Sequence, residues 1–338
     1  MLLNGRSEIT LDVYEKVAWG GDSVSIGNEA MIAMDSAHEA FMKMVAERLA
    51  ADPAAQIYAI TFGPGDAGAV DMEHDTRPTI LWTGASFGEA LPDRVVRGIV
   101  LARLANFLGG HTASRSEVAV GIASMLDPHT PLPRVPVQGT GGAGEILPLG
   151  HLFYELSRRM ALEPKERMAL INGSPCAAAL VADIALAARH RITLAEQVFA
   201  LSVEALASPL EAYSADNEEL WGDEHETAAL RSLRSLLEGH RPERMVRQSP
   251  VSHRILGRVL GQVRRAQAEA EHAAVVSLAS VTDNPVYIPP DNERPLGTVF
   301  STGGYHNSRA TAAMDAVAFQ WADLPARRAP YRPPLPTP

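Results

Sequence analysis

The chain has 338 residues, 46% of them hydrophobic and 6% aromatic, which is typical of a soluble globular protein. Its formal net charge of −10 disfavours nucleic acid or an anionic membrane as a partner. A single cysteine, Cys176, excludes an intrachain disulfide, and neither a signal peptide nor a membrane span is expected. We therefore expect a cytoplasmic protein.

The N-terminal third alternates helical segments with glycine-rich loops. Apolar residues recur at helical spacing over 29–50, and this stripe predicts ordinary core packing. The segment 56–68, QIYAITFGPGDAG, predicts a short strand over 56–60 followed by a loop. Taken alone, Tyr58 at the entry of that loop is typical of a half-buried packing tyrosine.

A second glycine-rich loop follows three predicted helices. These helices cover 78–91, 93–108 and 116–126, and the second is predicted to be amphipathic. The loop lies in Pro136–His151, PVQGTGGAGEILPLGH, whose glycines are too many for a core strand or a stable helix. It leads into helix-forming residues, so its backbone N–H groups could face an anionic ligand.

The remainder of the chain is predicted to be helical, apart from one small hairpin and an acidic irregular stretch over 208–224. Helices are predicted over 152–162, from Pro164 onward, and along the Ala-rich run after Asn172–Gly173. Further helices are predicted after a cap at Thr193, over 226–239 and over 251–280. A hairpin of 286–288 with 298–300 and a final helix follow.

These elements predict a mainly α protein in three parts. Residues 1–150 form a loop-rich and helical part, 151–325 a bundle of long helices, and 326–338 a Pro-rich tail expected to be disordered. The histidines show no metal-ligand spacing, and no P-loop, Rossmann, HEXXH or CXXC motif is present, so no metal site is predicted. Five histidines show no nearby partner for a metal site in the sequence and are interpreted as surface or satisfied core residues: His38, His74, His111, His129 and His190.

Six short motifs, in order along the chain, resemble those of the aromatic amino acid lyases, the histidine and phenylalanine ammonia-lyase superfamily. They are Tyr58–Gly65 (YAITFGPG), Pro136–His151, Leu170–Gly173 (LING), Arg247–Pro250 (RQSP), Ser280–Pro285 (SVTDNP) and Gly303–His306 (GGYH). Because the six stand in register over most of the chain, the resemblance is specific.

The resemblance implies an elongated, mostly helical bundle and a homo-oligomer, a dimer or tetramer, whose active sites are shared among subunits. The family eliminates ammonia from amino acids with an electrophile called MIO, which an Ala-Ser-Gly triplet in the glycine-rich loop forms. The chain also stops soon after its last motif, so we expect it to lack the family's C-terminal helical region and the acidic residue that this region supplies.

Several residues depart from the family pattern. Counted back from Leu147-Pro148-Leu149, the triplet region becomes Ala143-Gly144-Glu145, which is one residue short and lacks the serine. Thr140 lies at an earlier serine position, so we predict that no MIO and no other cofactor is present. Further positions also differ from the family: Thr61 replaces Asn, Gly84 replaces His and Arg244 replaces Tyr.

Other functional positions are retained. Tyr58 matches the family's catalytic base, Arg247 the arginine that binds the substrate carboxylate, and Asn172 a substrate-binding residue; positive charge or hydrogen bonds near Tyr58 would have to lower its pKa. Tyr305 and His306 occupy pocket positions, and Arg244 suggests a second anion or altered pocket polarity. The loop residues Gly141, Gly142, Ala143, Gly144 and Glu145 could stabilise an enolate as an oxyanion hole, although Glu145 is equally compatible with complementing a helix N-terminus.

Two kinds of function remain open. The first is a MIO-independent enzyme that uses Tyr58 as a base on a small, anionic carboxylate or carbonyl substrate. It would eliminate a good leaving group such as trimethylammonium, as an ergothionase-like branch does, or catalyse conjugate addition, cyclisation or isomerisation. The second is a non-catalytic pseudoenzyme that acts as a binding or assembly protein.

Overall fold

The computed structural model describes residues 1–61, 86–139, 143–239, 243–244 and 248–326. The chain is mainly α-helical, which confirms the predicted fold class. The described α-helices are α1 (Leu11–Tyr14), α2 (Asn28–Ala51), α3 (Asp93–Phe107), α4 (Ser116–Ser124), α5 (Ile146–Arg159), α6 (Pro164–Ile171), α7 (Pro175–Ala205), α8 (Asp216–Trp221), α9 (Glu224–Leu236), α10 (Val251–Arg254), α11 (Leu256–Ala279) and α12 (Ser308–Ala326).

The strands of the described part form two-stranded pairs. They are β1 (Leu2–Leu3) parallel to β2 (Ser25–Ile26), β3 (Phe87–Ala90) antiparallel to β4 (Pro136–Gln138), and β5 (Val286–Ile288) antiparallel to β6 (Thr298–Phe300). The predicted hairpin over 286–300 is confirmed. The helix predicted over 78–91 is wrong for 87–90, which pair with β4, while 78–85 lie outside the described residues.

Helix α2 confirms the predicted apolar stripe. Its buried positions are Ala30, Met34, Ala37, Phe41, Met44 and Val45. Four of them pack with Ile57, Ala113 and Tyr287 in one cluster, where the rings of Phe41 and Tyr287 meet edge to face at 5.3 Å. This cluster fixes the segment that precedes Tyr58.

Helix α3 is buried on every side, which corrects the prediction of an amphipathic helix. Every residue from Val95 to Phe107 is buried, including Arg97, Arg103 and Asn106. These polar side chains bond to backbone groups of neighbouring segments, which replaces most of the hydration they lose, although Arg103 Nε has no hydrogen-bond partner.

Three other predicted boundaries are corrected. Thr193 does not start a helix, because α7 runs unbroken from 175 to 205 and the Thr193 hydroxyl donates to the Arg189 carbonyl inside it. The long helix predicted over 251–280 breaks at Ile255 into α10 and α11. The predicted strand over 56–60 does not form, because the chain turns between Ile57 and Thr61 and Tyr58 makes only an isolated β-bridge; the stretch 208–224 contains α8.

The chain divides into two compact units. The first comprises Met1–Asp183 and Ala274–Ala310, and the second comprises Ile184–Ala273 and Thr311–Pro338. This partition differs from the three parts assigned from the sequence, because helices α7, α11 and α12 each pass from one unit to the other. The predicted Pro-rich tail lies outside the described residues, except for Ala326 at the end of α12.

The second unit has its own apolar core. The core residues are Ala200, Val203, Tyr213, Ala229, Leu230, Leu233, Leu237, Leu256, Leu260 and Leu324. In the same unit, the Tyr213 hydroxyl donates to the carbonyl of His253 at 2.7 Å.

One helical stretch, Pro164–Ala205, is long and apolar enough to cross a membrane by length and composition. Within its most apolar window, 78% is buried inside the protein. That burial is typical of a core helix in a soluble protein.

Candidate active site

Tyr58 is held by a turn rather than by a strand. Its neighbour Ile57 is 1% exposed in the α2 cluster, and Ala59 adopts a left-handed φ of 67°. The hydroxyl of Thr61 accepts from the Ile57 amide at 2.8 Å and donates to the Ala55 carbonyl at 3.1 Å. Thr61 therefore closes the turn that presents the half-buried Tyr58 side chain.

Asn172 lies where α6 ends and the turn 172–174 begins. Its side-chain Nδ2 donates to the carbonyl of Asn284 at 2.9 Å and contacts Met168 Sδ at 3.8 Å. The Tyr58 hydroxyl lies 4.0 Å from the same sulfur, and the Asn172 side chain lowers the pKa of Tyr58. The structure thus brings together two predicted site residues that are far apart in sequence.

The exit of the glycine-rich loop also reaches this point. The amide of Gly173 donates to the carbonyl of Gly144 at 3.1 Å, and a Cβ placed on Gly144 would lie 2.6 Å from Asn172 Oδ1. Gly144 has a φ of 78°, which favours glycine. No larger residue fits between the loop and Asn172 without displacing one of them.

Glu145 anchors the loop to helix α7. Its buried carboxylate accepts from the amides of Cys176 at 2.5 Å and Ala177 at 2.8 Å, in the first turn of that helix. The structure favours the helix N-terminus interpretation of Glu145, with α7 as the helix. Burial raises the pKa of Glu145 from its usual 4.5 to about 7, although the two backbone hydrogen bonds and Arg103 oppose this rise.

Asp283 and Lys165 form a buried ion pair in the same unit. Lys165 Nζ donates to Asp283 Oδ2 at 2.5 Å, and the two side chains are 2% and 0% exposed. The pKa of Tyr58 is raised from 10 by burial first, then by the Asp283 charge and by Tyr305, while Asn172 lowers it. Of the two expected causes of a lower pKa, positive charge is not found among these, whereas the Asn172 side chain does lower the pKa of Tyr58.

Tyr305 and His306 lie in a loop that Asn284 ties to the site. The Asn284 side chain accepts from Ser301 Oγ at 3.0 Å and from the Thr302 amide at 2.8 Å, and Ser174 Oγ donates to Gly304 at 3.4 Å. Tyr305 is half-buried and His306 is exposed. The roles proposed for both side chains stay predictions.

Other predicted site residues lie elsewhere or outside the described part. Arg247, Gly141 and Gly142, with Thr140 beside them, are outside the described residues, and so is Gly84. Ala143 begins the short helical turn 143–145, whose last two residues are described above.

Arg244 belongs to the second compact unit. Its guanidinium pairs with Glu204 and donates to the Ser208 carbonyl at 3.4 Å. The Glu204 carboxylate offsets the charge of Arg244, which disfavours an anion-binding role.

Two charged residues of the site were missed from the sequence. Lys165 follows Pro164 in the first turn of α6, and nothing in that local sequence distinguishes it from a surface lysine. Arg103 does have a signal, because it interrupts the apolar run of α3 and a helix buried on all sides must satisfy any charge it carries.

Among the described residues, one group of side chains has metal-ligand proximity, and it corrects the view that His38 has no nearby partner. Potential ligand atoms of His38, Glu163 and Glu166 lie within 4.8 Å of one another. However, Glu166 is 0% exposed, and its carboxylate accepts hydrogen bonds from Arg115 Nε at 2.8 Å and Nη2 at 2.6 Å. It also accepts from the Glu163 amide. These bonds explain the group as a helix cap and an ion pair.

A family model decides the assignment. The model described as aromatic amino acid lyase matches residues 9–159 and 155–327. The chain belongs to the aromatic amino acid lyase family. This membership confirms the resemblance found in the sequence and supports a lyase-like enzyme. Members of the family act on small molecules and are typically oligomeric.

Individual relatives agree with the family model. The chain is 25% identical over 92% of its length to a histidine ammonia-lyase of Caldanaerobacter subterraneus subsp. tengcongensis, and 29% identical over 94% to that of Symbiobacterium thermophilum. It spans 68% and 67% of those two proteins, and 58% of a Burkholderia cenocepacia histidine ammonia-lyase.

Solved structures share the fold of this chain. The ergothioneine-degrading enzyme ergothionase of Treponema denticola superposes with a TM-score of 0.78 over 97% of this chain and 70% of that one, at 19% identity. At this identity the likeness concerns the fold.

Proposed function

We propose that this protein is a MIO-independent lyase-like enzyme in which Tyr58 removes a proton from a small carboxylate or carbonyl substrate. The observation that carries the proposal is the meeting of Tyr58, Asn172 and Gly144, which come from three separate family motifs. The retained base and amide thus meet at the exit of the loop where relatives build their electrophile.

The residues of the loop do not fit MIO formation. Ala143, Gly144 and Glu145 contain no side-chain hydroxyl, and the space beside the Gly144 Cα is taken by Asn172 Oδ1. We therefore derive no step through such a group. Intact-mass and near-UV measurements test this point, because a dehydrated mass together with an additional absorbance band would contradict it.

A good leaving group makes the electrophile unnecessary. In our proposal the Tyr58 phenolate takes the proton at Cβ, the electrons of the C–H bond form the C=C bond, and the C–N electrons depart with the amine. A trimethylammonium group leaves as a neutral amine without prior activation. The choice of this leaving-group class rests on the missing Ala-Ser-Gly triplet, because the likeness to ergothionase concerns the fold.

A cationic substrate would also help Tyr58 to ionise. Burial and the Asp283 charge raise the pKa of Tyr58, so the phenol is the dominant form near neutral pH. A quaternary ammonium group bound beside the hydroxyl would favour the phenolate. We include in the proposal a carboxylate bound by Arg247, a homo-oligomeric assembly with shared sites, and a cytoplasmic location.

The raised pKa also favours a second candidate, a non-catalytic binding or assembly protein. A tyrosine that stays protonated and an asparagine whose amide bonds within the protein suit a packing role as well as a catalytic one. Turnover decides between the two candidates.

The test is a substrate panel with matched variants. Histidine, phenylalanine and tyrosine are supplied as free amino acids and as their trimethylammonium betaines, and both the unsaturated acid and the released amine are measured. We expect turnover of a betaine, with a loss of at least about 10²-fold in Tyr58→Phe and a marked loss in Arg247→Ala. Tyr154→Phe, which alters a tyrosine packed over Arg158, is the control.

Two outcomes contradict the proposal. If Tyr58→Phe and Arg247→Ala both retain the wild-type rate on the best substrate, proton abstraction by Tyr58 is wrong. If the wild-type protein binds betaines in calorimetry but converts none of the panel, the non-catalytic candidate replaces the enzyme.

A further inference from the structure

Arg103 is a fully buried cation in the middle of helix α3. It is 0% exposed, and burial lowers its pKa while the nearby carboxylates of Asp283 and Glu145 raise it. An arginine stays charged in proteins, so this position is stable only when the guanidinium is well bonded.

The bonds of Arg103 go to the end of helix α6. Nη1 donates to the Ala169 carbonyl at 2.7 Å and Nη2 to the Asn172 carbonyl at 3.1 Å. The last carbonyls of a helix lack partners within the helix, and a cation there also complements the helix dipole. Arg103 therefore sets where α6 stops and where Asn172 stands.

The next residue is shaped around the same guanidinium. Gly173 has a φ of 148°, and a Cβ built on it would lie 2.7 Å from Arg103 Nη2. The glycine of the L-x-N-G motif thus permits the close approach of Arg103. Its amide then donates to the Gly144 carbonyl, which joins the turn to the loop.

One helical turn further along α3, Asn106 bonds to a second segment, the one that contains Thr282. Its Oδ1 accepts from the Thr282 amide at 2.7 Å and from the Thr282 hydroxyl at 3.0 Å, and that hydroxyl accepts from the Ser174 amide at 3.1 Å. Helix α3 is thereby bonded to both turns that carry Asn172 and Asn284.

We propose that Arg103 is a positioning residue of this site, which holds Asn172 against Gly144 and sets the distance from Asn172 to Tyr58. Its catalytic consequence rests on the proposed function, whereas its effect on the turn 172–174 does not. Arg103 acts through Asn172 and needs no contact with substrate.

The test uses Arg103→Met and a matched control, Arg97→Met. Arg97 is also on α3 and 8% exposed, and it also donates to backbone carbonyls, those of Val17, Asp22 and Leu126. Hydrogen exchange is followed at the amides of Gly173, Ser174, Cys176 and Ala177.

We expect Arg103→Met to speed exchange at these four amides by at least about tenfold relative to Arg97→Met. Arg97→Met should speed exchange around residues 17–22 instead. Arg103→Lys, which keeps the charge but bonds fewer carbonyls, should give an intermediate result. If Arg103→Met fails to fold, the comparison of Arg103→Lys with Arg97→Lys carries the test.

With a substrate found in the betaine panel, Arg103→Met should lower kcat by about 10²-fold with a smaller change in KM. If both arginine variants changed exchange at the four amides equally, Arg103 would be a general stabilising residue and the inference would be wrong. If Arg103→Met speeds exchange at the four amides but the wild-type protein turns over no substrate, the proposed function is wrong and the positioning role of Arg103 stands.

Discussion

The backbone of Gly144 lies against the side chain of Asn172 so closely that an added Cβ would come within 2.6 Å of Asn172 Oδ1. The same two segments are joined by the hydrogen bond from Gly173 to the Gly144 carbonyl. The glycine-rich loop and the L-x-N-G turn thus form one packed unit, and Asn172 is the side chain at their junction.

This relationship predicts an unusual cost for Gly144→Ala. The substitution places a side chain at a φ of 78° and into Asn172, and we expect it to lower the free energy of unfolding by about 3 kcal/mol. Gly222→Ala is the control, since Gly222 has a φ of 64° with no atom within 4 Å of the added Cβ. It should cost about 1 kcal/mol. Chemical denaturation measures the loss of unfolding free energy in both variants. Equal losses would show that the Asn172 side chain moves aside without a measurable energetic penalty.

The raised pKa of Tyr58 predicts the direction of the pH dependence. A base acts only when deprotonated, so kcat/KM on a betaine substrate should rise with pH and keep rising to beyond pH 10. A bound cationic substrate lowers the pKa of Tyr58, so the rise in kcat should occur at lower pH than the rise in kcat/KM. A profile that is flat from pH 7 to 11 in the wild type would speak against Tyr58 as the base.

The buried pair of Lys165 and Asp283 predicts that a single variant loses more unfolding free energy than the double variant does. Lys165→Met leaves the Asp283 carboxylate buried without its cation, and we expect a loss of about 3–5 kcal/mol in unfolding free energy. Lys165→Met combined with Asp283→Leu removes both charges and should recover most of that loss. Thermal and urea unfolding give both values, and a double variant as unstable as the single one would contradict this account.

The pKa of Glu145 predicts how stability changes with pH. The folded value of about 7 exceeds the usual 4.5, so the folded protein holds this proton more tightly than the unfolded chain. The stabilisation from this group is complete below about pH 4.5 and is lost as pH rises to about 7, a change of about 3 kcal/mol.

Glu145→Gln removes this titration. The wild-type protein should therefore lose stability relative to the variant between pH 4.5 and 7, as measured by urea unfolding at several pH values. A constant difference across this range would mean that the Glu145 carboxyl titrates near its ordinary pKa in the folded protein.

Much of the helical framework follows from local sequence patterns. The stripe along α2 and the hairpin of 286–288 with 298–300 were predicted because periodicity and turn residues act over short distances. The helix start predicted at Thr193 was wrong, since an isolated capping residue does not interrupt a helix whose flanking residues favour helix.

The family motifs also predicted Tyr58, Asn172 and Glu145 as site residues, and the missing serine predicted that this loop forms no MIO; these assignments stay predictions. The family assignment is confirmed, whereas the roles of Arg247, Tyr305 and His306 stay predictions.

Only the tertiary structure decided how these residues are held. A sequence states that α3 carries Arg103, but not which carbonyls its guanidinium reaches, because those belong to a helix 66 residues away. It likewise contains Asp283 and Lys165, but does not show that they form a buried ion pair or that the Asp283 charge raises the pKa of Tyr58. Local propensity fixes elements, whereas charge pairing and burial depend on contacts that exist only after the chain has folded.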